Sequence, residues 1–484
     1  MDPLLSNLEP KLLWKHFDEI RKIPHESKNE TEIAKYVMSV AEKNNCEYEQ
    51  DATGNVLIRK PATPGHENAP VIVLQSHLDM VCEKNSDVEF DFANDAIQLQ
   101  IDGEWLKAKG TTLGADNGVG IAASLAALED KTLVHGPLEM LFTVDEETGL
   151  TGAASIQQDF LKGRIMLNMD SEEEGIFTIG CSGGADTIFT LPITREKNTS
   201  GALLKIQITG LKGGHSGIDI NTGRGNAIKI MNRILWDAAQ EFDISLVSFN
   251  GGNKRNAIAR EAFAEVIVPA DAKDKVKAGM EKSGAEMQFE FKAVEKDLKI
   301  SISEEGGTLP VAFSKASQST LLNMLYALPH GVMSMSQDIE GLVETSTNLA
   351  VINTNENSVV ISQSSRSSVG SALSAACHKL KAVAELSGAT VEQPEGYPGW
   401  TPNLDSPILK IAKDAYKACF NKEAEVAAIH AGLECGIIGE KFPGMDMVSF
   451  GPDLRNPHSP DEKVHIGTVG KFWQHVAKIL EMMA

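Results

Sequence analysis

The sequence is short of cysteine, of positive charge and of long apolar runs, and each shortage removes a class of protein. Its six cysteines, at positions 46, 82, 181, 377, 419 and 435, are scattered over 484 residues without C-x-x-C spacing. They read as reduced core thiols of a cytoplasmic protein, not as a disulfide framework. No run approaches the about 18 apolar residues of a membrane-spanning helix. The start, Met1-Asp-Pro-Leu-Leu-Ser-Asn, has no basic segment followed by an apolar core, so no signal peptide is expected. Against 67 Asp and Glu there are only 45 Lys and Arg, a formal charge of −22, which argues against nucleic acid and anionic membranes as partners. The glycine-rich stretch 111–120 is not followed by G-K-[ST] and is therefore no phosphate loop.

What the chain does carry is a set of carboxylates and imidazoles, His77, Asp79, Asp116, Glu146, Glu147, Asp170 and His458, most of them where a strand runs out into a loop. Residues 71–79 form a buried apolar strand ending in His-x-Asp. The period of two puts His77 and Asp79 on one face, where the carboxylate can orient the imidazole. Asp116 precedes an Ala-rich helical stretch and reads as a ligand or as a helix N-cap. The strand 138–144 delivers Asp145, Glu146 and Glu147. Those two glutamates can do different work only if the backbone turns between them, which Thr148-Gly149 permits; a solvated acidic loop is the alternative. The strand 164–169 ends at Asp170, and the acidic triplet 172–174 reads as mostly solvated surface. His458 sits on a proline-flanked loop after the strand 447–450. Each group alone could be structural. Their shared position at strand ends favours metal, because ligands gather outside the carboxyl ends of the strands in open α/β sheets.

With 42% apolar residues the chain can bury a large core, and its length favours two or three domains. Helical spacing at 12–20 and 31–43, a hairpin at 46–59 and the strands above give an α/β fold with a mainly parallel sheet and flanking helices. From about residue 188 the order changes to strand 204–211, helix 226–240, strands 244–250 and 262–269, helix 272–281 and strand 287–291, a βαββαβ unit. A second such unit is read from strand 298–303, helix 317–327, strands 342–353 and 358–363, helix 373–386 and a strand near Thr390. No sequence repeat is visible, so this duplication rests on element order alone. The turn-rich stretch 395–402 marks the return to the first domain. The expected domains are therefore 1–187 and 395–484 for the catalytic part, with 188–394 inserted as an α+β lid of two ferredoxin-like units.

The motifs Ser76-His-Leu-Asp79, Gly114-Ala-Asp-Asn-Gly118, Asp145-Glu-Glu147, Asp170 with its acidic triplet, Gly213-Gly-His-Ser-Gly217, His430-Ala-Gly-Leu-Glu434 and His458-Ser-Pro-Asp-Glu462 together resemble the cocatalytic zinc peptidase family of carboxypeptidases, aminoacylases and carnosinases. The resemblance spans nearly the whole chain. It implies two Zn²⁺ per chain, with Co²⁺ or Mn²⁺ able to replace them. One is held by His77, Asp116 and Asp170, the other by Asp116, Glu147 and His458, with Asp116 bridging across a cis peptide bond to Asn117. Three ligand carboxylates leave one positive charge, which a bridging hydroxide neutralises, and Glu146 is left as the general base. The same resemblance makes Arg366, the amide of Gly432 and Asn256 substrate-binding groups, and His215 a donor to the developing oxyanion. The expected substrate is an unblocked dipeptide with C-terminal histidine, β-alanyl-histidine included. An N-acyl amino acid deacylase or a broad dipeptidase is the alternative on the same metal centre. A homodimer is an open option, and the two lid units suggest that His215 serves its own chain.

Overall fold

A computed structural model describes residues 1–197 and 200–484, in two compact units: 1–181 with 400–428 and 433–484, and 182–399 with 429–432. The first unit is built on an eight-stranded sheet. Its centre is Ile72–His77, fully buried and parallel to Leu138–Thr143 on one side and Ile165–Asn168 on the other. Asp446–Ser449 continues the parallel set beside Ile165–Asn168. Strands buried on both faces explain the near-continuous apolar runs at these positions. The register aligns their carboxyl ends: His77 lies opposite Thr143 and Gln75 opposite Asn168. The residues that follow each strand are thus delivered to one edge of the sheet. The hairpin is present as Glu47–Gln50 and Val56–Lys60. Helices Lys11–Ile20 and Thr31–Lys43 bury one apolar face each, whereas Ala115–Glu129 is buried along almost its whole length, which its small side chains allow.

The second unit has one nine-stranded sheet. Ala202–Thr209, Ser245–Gly251, Ala262–Val268 and Lys299–Glu305 take the order fourth, first, third, second, all antiparallel, which is the ferredoxin-like arrangement of a βαββαβ unit. Its helices are Ala227–Glu241 and Lys273–Phe291. Two expectations from the sequence do not hold in this unit. Residues 287–291, read as a strand because Met-Gln-Phe-Glu-Phe alternates, are the last turn and a half of Lys273–Phe291. The buried positions Val276, Met280, Ser283, Gly284 and Met287 keep helical spacing through that stretch, and Phe289 is left 69% exposed. Lys299–Glu305 consequently closes the first βαββαβ set instead of opening the second. The second set draws its first strand from Gly183–Pro192, upstream of the whole first set, followed by Lys315–Ala327, Val343–Thr354, Ser358–Ser367, Gly370–Ser387 and Thr390–Glu392, again in fourth, first, third, second order. One βαββαβ set is therefore nested inside the other, and their strands join into one sheet where Gly251 meets Ile352. No helix among the described residues is long and apolar enough to cross a membrane.

Candidate active site

The five expected metal ligands converge at the carboxyl edge of the first unit's sheet. His77 Nε2 lies 3.1 Å from Asp116 Oδ1 and 3.2 Å from Asp170 Oδ1. His458 Nε2 lies 3.2 Å from Asp116 Oδ2 and 2.9 Å from Glu147 Oε1. Asp116 thus has one imidazole on each of its oxygens and belongs to two ligand groups, His77-Asp116-Asp170 and Asp116-Glu147-His458. These donor separations approach the about 3.3 Å edge of a tetrahedron with zinc-ligand bonds of about 2.05 Å. Electrostatics point the same way. Contact with Asp116 and Glu147 pushes His458 up to about 11. Burial opposes protonation of His77, yet Asp170 and Asp116 hold it well above its usual range. Burial and the surrounding carboxylates raise Asp170 to about 6 and Glu172 to about 8. The two groups that share Asp116 are the ones that could each hold a cation.

Glu146 stands apart from both groups that share Asp116; among the described residues it clusters with His77 and Glu147. Burial, then the charges of Asp170, Glu434 and Glu147, raise it well above the ordinary carboxylate range, against the pull of His77. The expected turn does not fall between the two glutamates: both open the short helix Glu146–Gly149, which follows Asp145, a non-glycine residue at φ 52° whose carboxylate is held by Thr148 and Thr151. Asp79 secures the start of that helix: Oδ1 accepts from the Glu146 amide at 3.0 Å and Oδ2 from the Glu147 amide at 3.2 Å. The nearer contact to His77 Nδ1 is the Asp79 carbonyl oxygen, at 3.0 Å, with the carboxylate at 3.5 Å. Asp79 therefore braces the glutamates as much as the imidazole. The Asp116–Asn117 peptide is cis.

Several supporting residues escaped the sequence reading. Buried Glu462 accepts four consecutive backbone amides, Leu113 at 2.7 Å, Gly114 at 3.1 Å, Ala115 at 2.8 Å and Asp116 at 3.3 Å. It shapes the loop that presents Asp116; its place in the His458 motif was the available signal. Asn117 Nδ2 holds Asp170 Oδ1 at 2.5 Å, and any Cβ at residue 120 would sit 2.2 Å from the Asn117 oxygen, so glycine is required there. Below the ligands, Gln75, Thr143 and Asn168 on three adjacent strands join in one buried layer, with Glu434 accepting from Gln75 and Thr143. The acidic triplet is not solvated surface: Glu172 faces the carboxylate cluster, Glu174 pairs with Lys471 and Tyr416, and only Glu173 is exposed. Glu462→Ala is expected to strand buried amides at about 1 kcal/mol or more each, a loss of several kcal/mol. Urea unfolding of the metal-free proteins would measure it.

In the second unit His215, Arg366 and the 429–432 segment are neighbours. His215 Nδ1 accepts from the Gly217 and Ile218 amides at 3.2 and 3.1 Å. That places the imidazole proton on Nε2, making the ring a neutral donor; burial, then Arg366, lowers it to about 4. A Cβ at Gly217 would lie 1.9 Å from the His430 carbonyl oxygen, so the loop approaches this segment only as glycine. Arg366 is 7% exposed and donates to Tyr397 OH at 2.7 Å and Ser216 Oγ at 3.3 Å, with no carboxylate partner among the described residues. The structure brings Asn256 to this loop through its backbone, whose oxygen accepts from the Ser216 amide at 2.9 Å, while its side chain is exposed.

The chain belongs to peptidase family M20/M25/M40, whose pattern residues 73–482 match. It is a hydrolase-family protein with full-length relatives that carry peptidase names. The cytosol non-specific dipeptidase of Escherichia coli (strain K12) is 44% identical over 99% of this chain and 98% of its own length. The solved aminoacylhistidine dipeptidase of Vibrio alginolyticus is 48% identical, with a TM-score of 0.91 and coverage of 99% and 98%. An aminopeptidase of Bacillus cereus, 17% identical over 98% of this chain and 99% of its own, shares the fold with a TM-score of 0.57.

Proposed function

We propose that the protein is a dinuclear zinc dipeptidase acting on unblocked dipeptides, those with C-terminal histidine included. The observation that carries this reading is Asp116, with an imidazole on each carboxylate oxygen and a second carboxylate beside each imidazole. His77, Asp116 and Asp170 would hold one cation and Asp116, Glu147 and His458 the other. Bound there, paired cations acidify a water and polarise the scissile carbonyl. The remaining work falls to the protein's own groups. Glu146 takes the water proton at its carboxylate and passes it to the leaving amine. His215 donates its Nε2 proton as a hydrogen bond to the carbonyl oxygen as that oxygen gains charge.

Arg366 supports exopeptidase action on short peptides. A buried guanidinium without a carboxylate partner is costly unless an anion joins it, and the free C-terminal carboxylate of a dipeptide supplies one. Broad dipeptidase action on the same centre is favoured by the name of the Escherichia coli relative, and action on aminoacyl-histidine by that of the Vibrio alginolyticus one. Apo-enzyme given Zn²⁺, Mn²⁺ or Co²⁺ separately and assayed on carnosine, alanyl-histidine, alanyl-alanine and an acetyl amino acid decides among them. Turnover of the dipeptides but not of the acetyl compound is expected. Preference for the acetyl compound would make the protein a deacylase.

A further inference from the structure

Arg366 is fixed in place by a residue from the turn-rich stretch near the end of the second unit. In the sheet Arg366 lies directly opposite Gly184. Tyr397 pairs with that glycine by two backbone hydrogen bonds, of 3.0 and 2.9 Å. Its ring lies over the position where a side chain at 184 would stand: a Cβ there would be 2.6 Å from the ring, and a Cβ at Gly432 would be 2.8 Å from its other edge. The two glycines open a slot for the phenol, and the slot aims its oxygen across the strands at Arg366 Nη1, 2.7 Å away. The acceptor's chemistry matters. A carboxylate here would neutralise the guanidinium; a phenol holds one donor and leaves the charge in place for a ligand. The other contact, to Ser216 at 3.3 Å, is too long to fix the fork alone.

We infer that Tyr397 is the positioning residue for Arg366, a neutral acceptor that orients the guanidinium toward the substrate carboxylate without spending its charge. The inference rests on the reading of Arg366 as the carboxylate anchor, and the test separates the two. Tyr397→Phe keeps the ring and removes the acceptor. Its KM for alanyl-histidine is expected to rise roughly tenfold or more, with kcat changed less than about twofold. Hydrolysis of alanyl-histidine amide, which lacks the carboxylate, is expected to match wild type. Arg366→Ala assayed on the same pair should erase the preference for acid over amide. If it does and Tyr397→Phe leaves KM unchanged, the inference about Tyr397 is overturned while the anchor stands. Equal losses on acid and amide in Tyr397→Phe would also overturn it, as a merely structural effect. If Arg366→Ala lowers both substrates alike, the anchor reading fails and takes the inference with it. Should Tyr397→Phe not fold, Gly184→Ala displaces the phenol without altering Arg366, and the same acid-selective rise in KM is required of it.

Discussion

Glu146→Gln is expected to keep its full complement of cations, about two per chain, and to lose roughly 10² to 10⁴ of kcat, the range for one general acid-base group. The substitution removes proton affinity and nearly preserves shape. Glu146 shares neither ligand group that contains Asp116, whereas Glu147 reaches His458 at 2.9 Å. As consecutive residues of the short helix Glu146–Gly149 the two side chains leave the axis about 100° apart, and Asp79 holds both of their amides. The rival assignment has some geometric basis, because Glu146 also clusters with His77 and Glu147. Elemental analysis of the purified variant distinguishes them: loss of one cation in Glu146→Gln would mean that the two glutamates exchange roles. Substrate affinity should be little changed, so the loss is read in kcat and not in KM.

Three of the five candidate ligands, His77, Glu147 and Asp170, were legible in the sequence because each stands at or just past the end of a buried strand of the parallel set, and such strands announce themselves as short apolar runs with a polar residue at the end; Asp116 and His458 follow loops instead. His77, the last residue of Ile72–His77, and Asp170, two residues past Ile165–Asn168, are the clearest cases. Glu462 was not legible in the same way. Its work is to accept backbone amides, and amides carry no side-chain signature. The layer of Gln75, Thr143 and Asn168 was hidden for a related reason: strand register, which sequence does not state, makes those three residues neighbours. Within the second unit the element count was readable and the connectivity was not. Lys299–Glu305 follows a helix in either arrangement, and only pairing with Ala202–Thr209 assigns it to the first βαββαβ unit. The extra strand at 287–291 arose because five alternating residues satisfy a period of two, while the deciding helical contacts at Val276 and Met280 lie outside that window.

Asp116→Asn is expected to have a larger effect than loss of the base, because it acts on both cations together. The side chain keeps its shape but loses one charge and one acceptor oxygen, and its new amide group would point N–H donors toward an imidazole or a cation. Neither ligand group survives that change, since both contain this residue. Cation content should fall well below one per chain, and activity should drop further than in Glu146→Gln, toward the uncatalysed background. A readout independent of turnover is thermal melting with and without Zn²⁺. Ligand that binds only the folded state stabilises it by RT ln(1 + [L]/Kd), about 2.7 kcal/mol at a hundredfold excess over Kd. Wild type should therefore melt higher when Zn²⁺ is added after chelation, and Asp116→Asn should not. The Asp116 backbone is still held by Glu462 through the amides of 113–116, so the variant is expected to fold. Retention of one tightly bound cation, with part of the rise in melting temperature, would show that the two positions fill independently and that Asp116 is not the ligand they share.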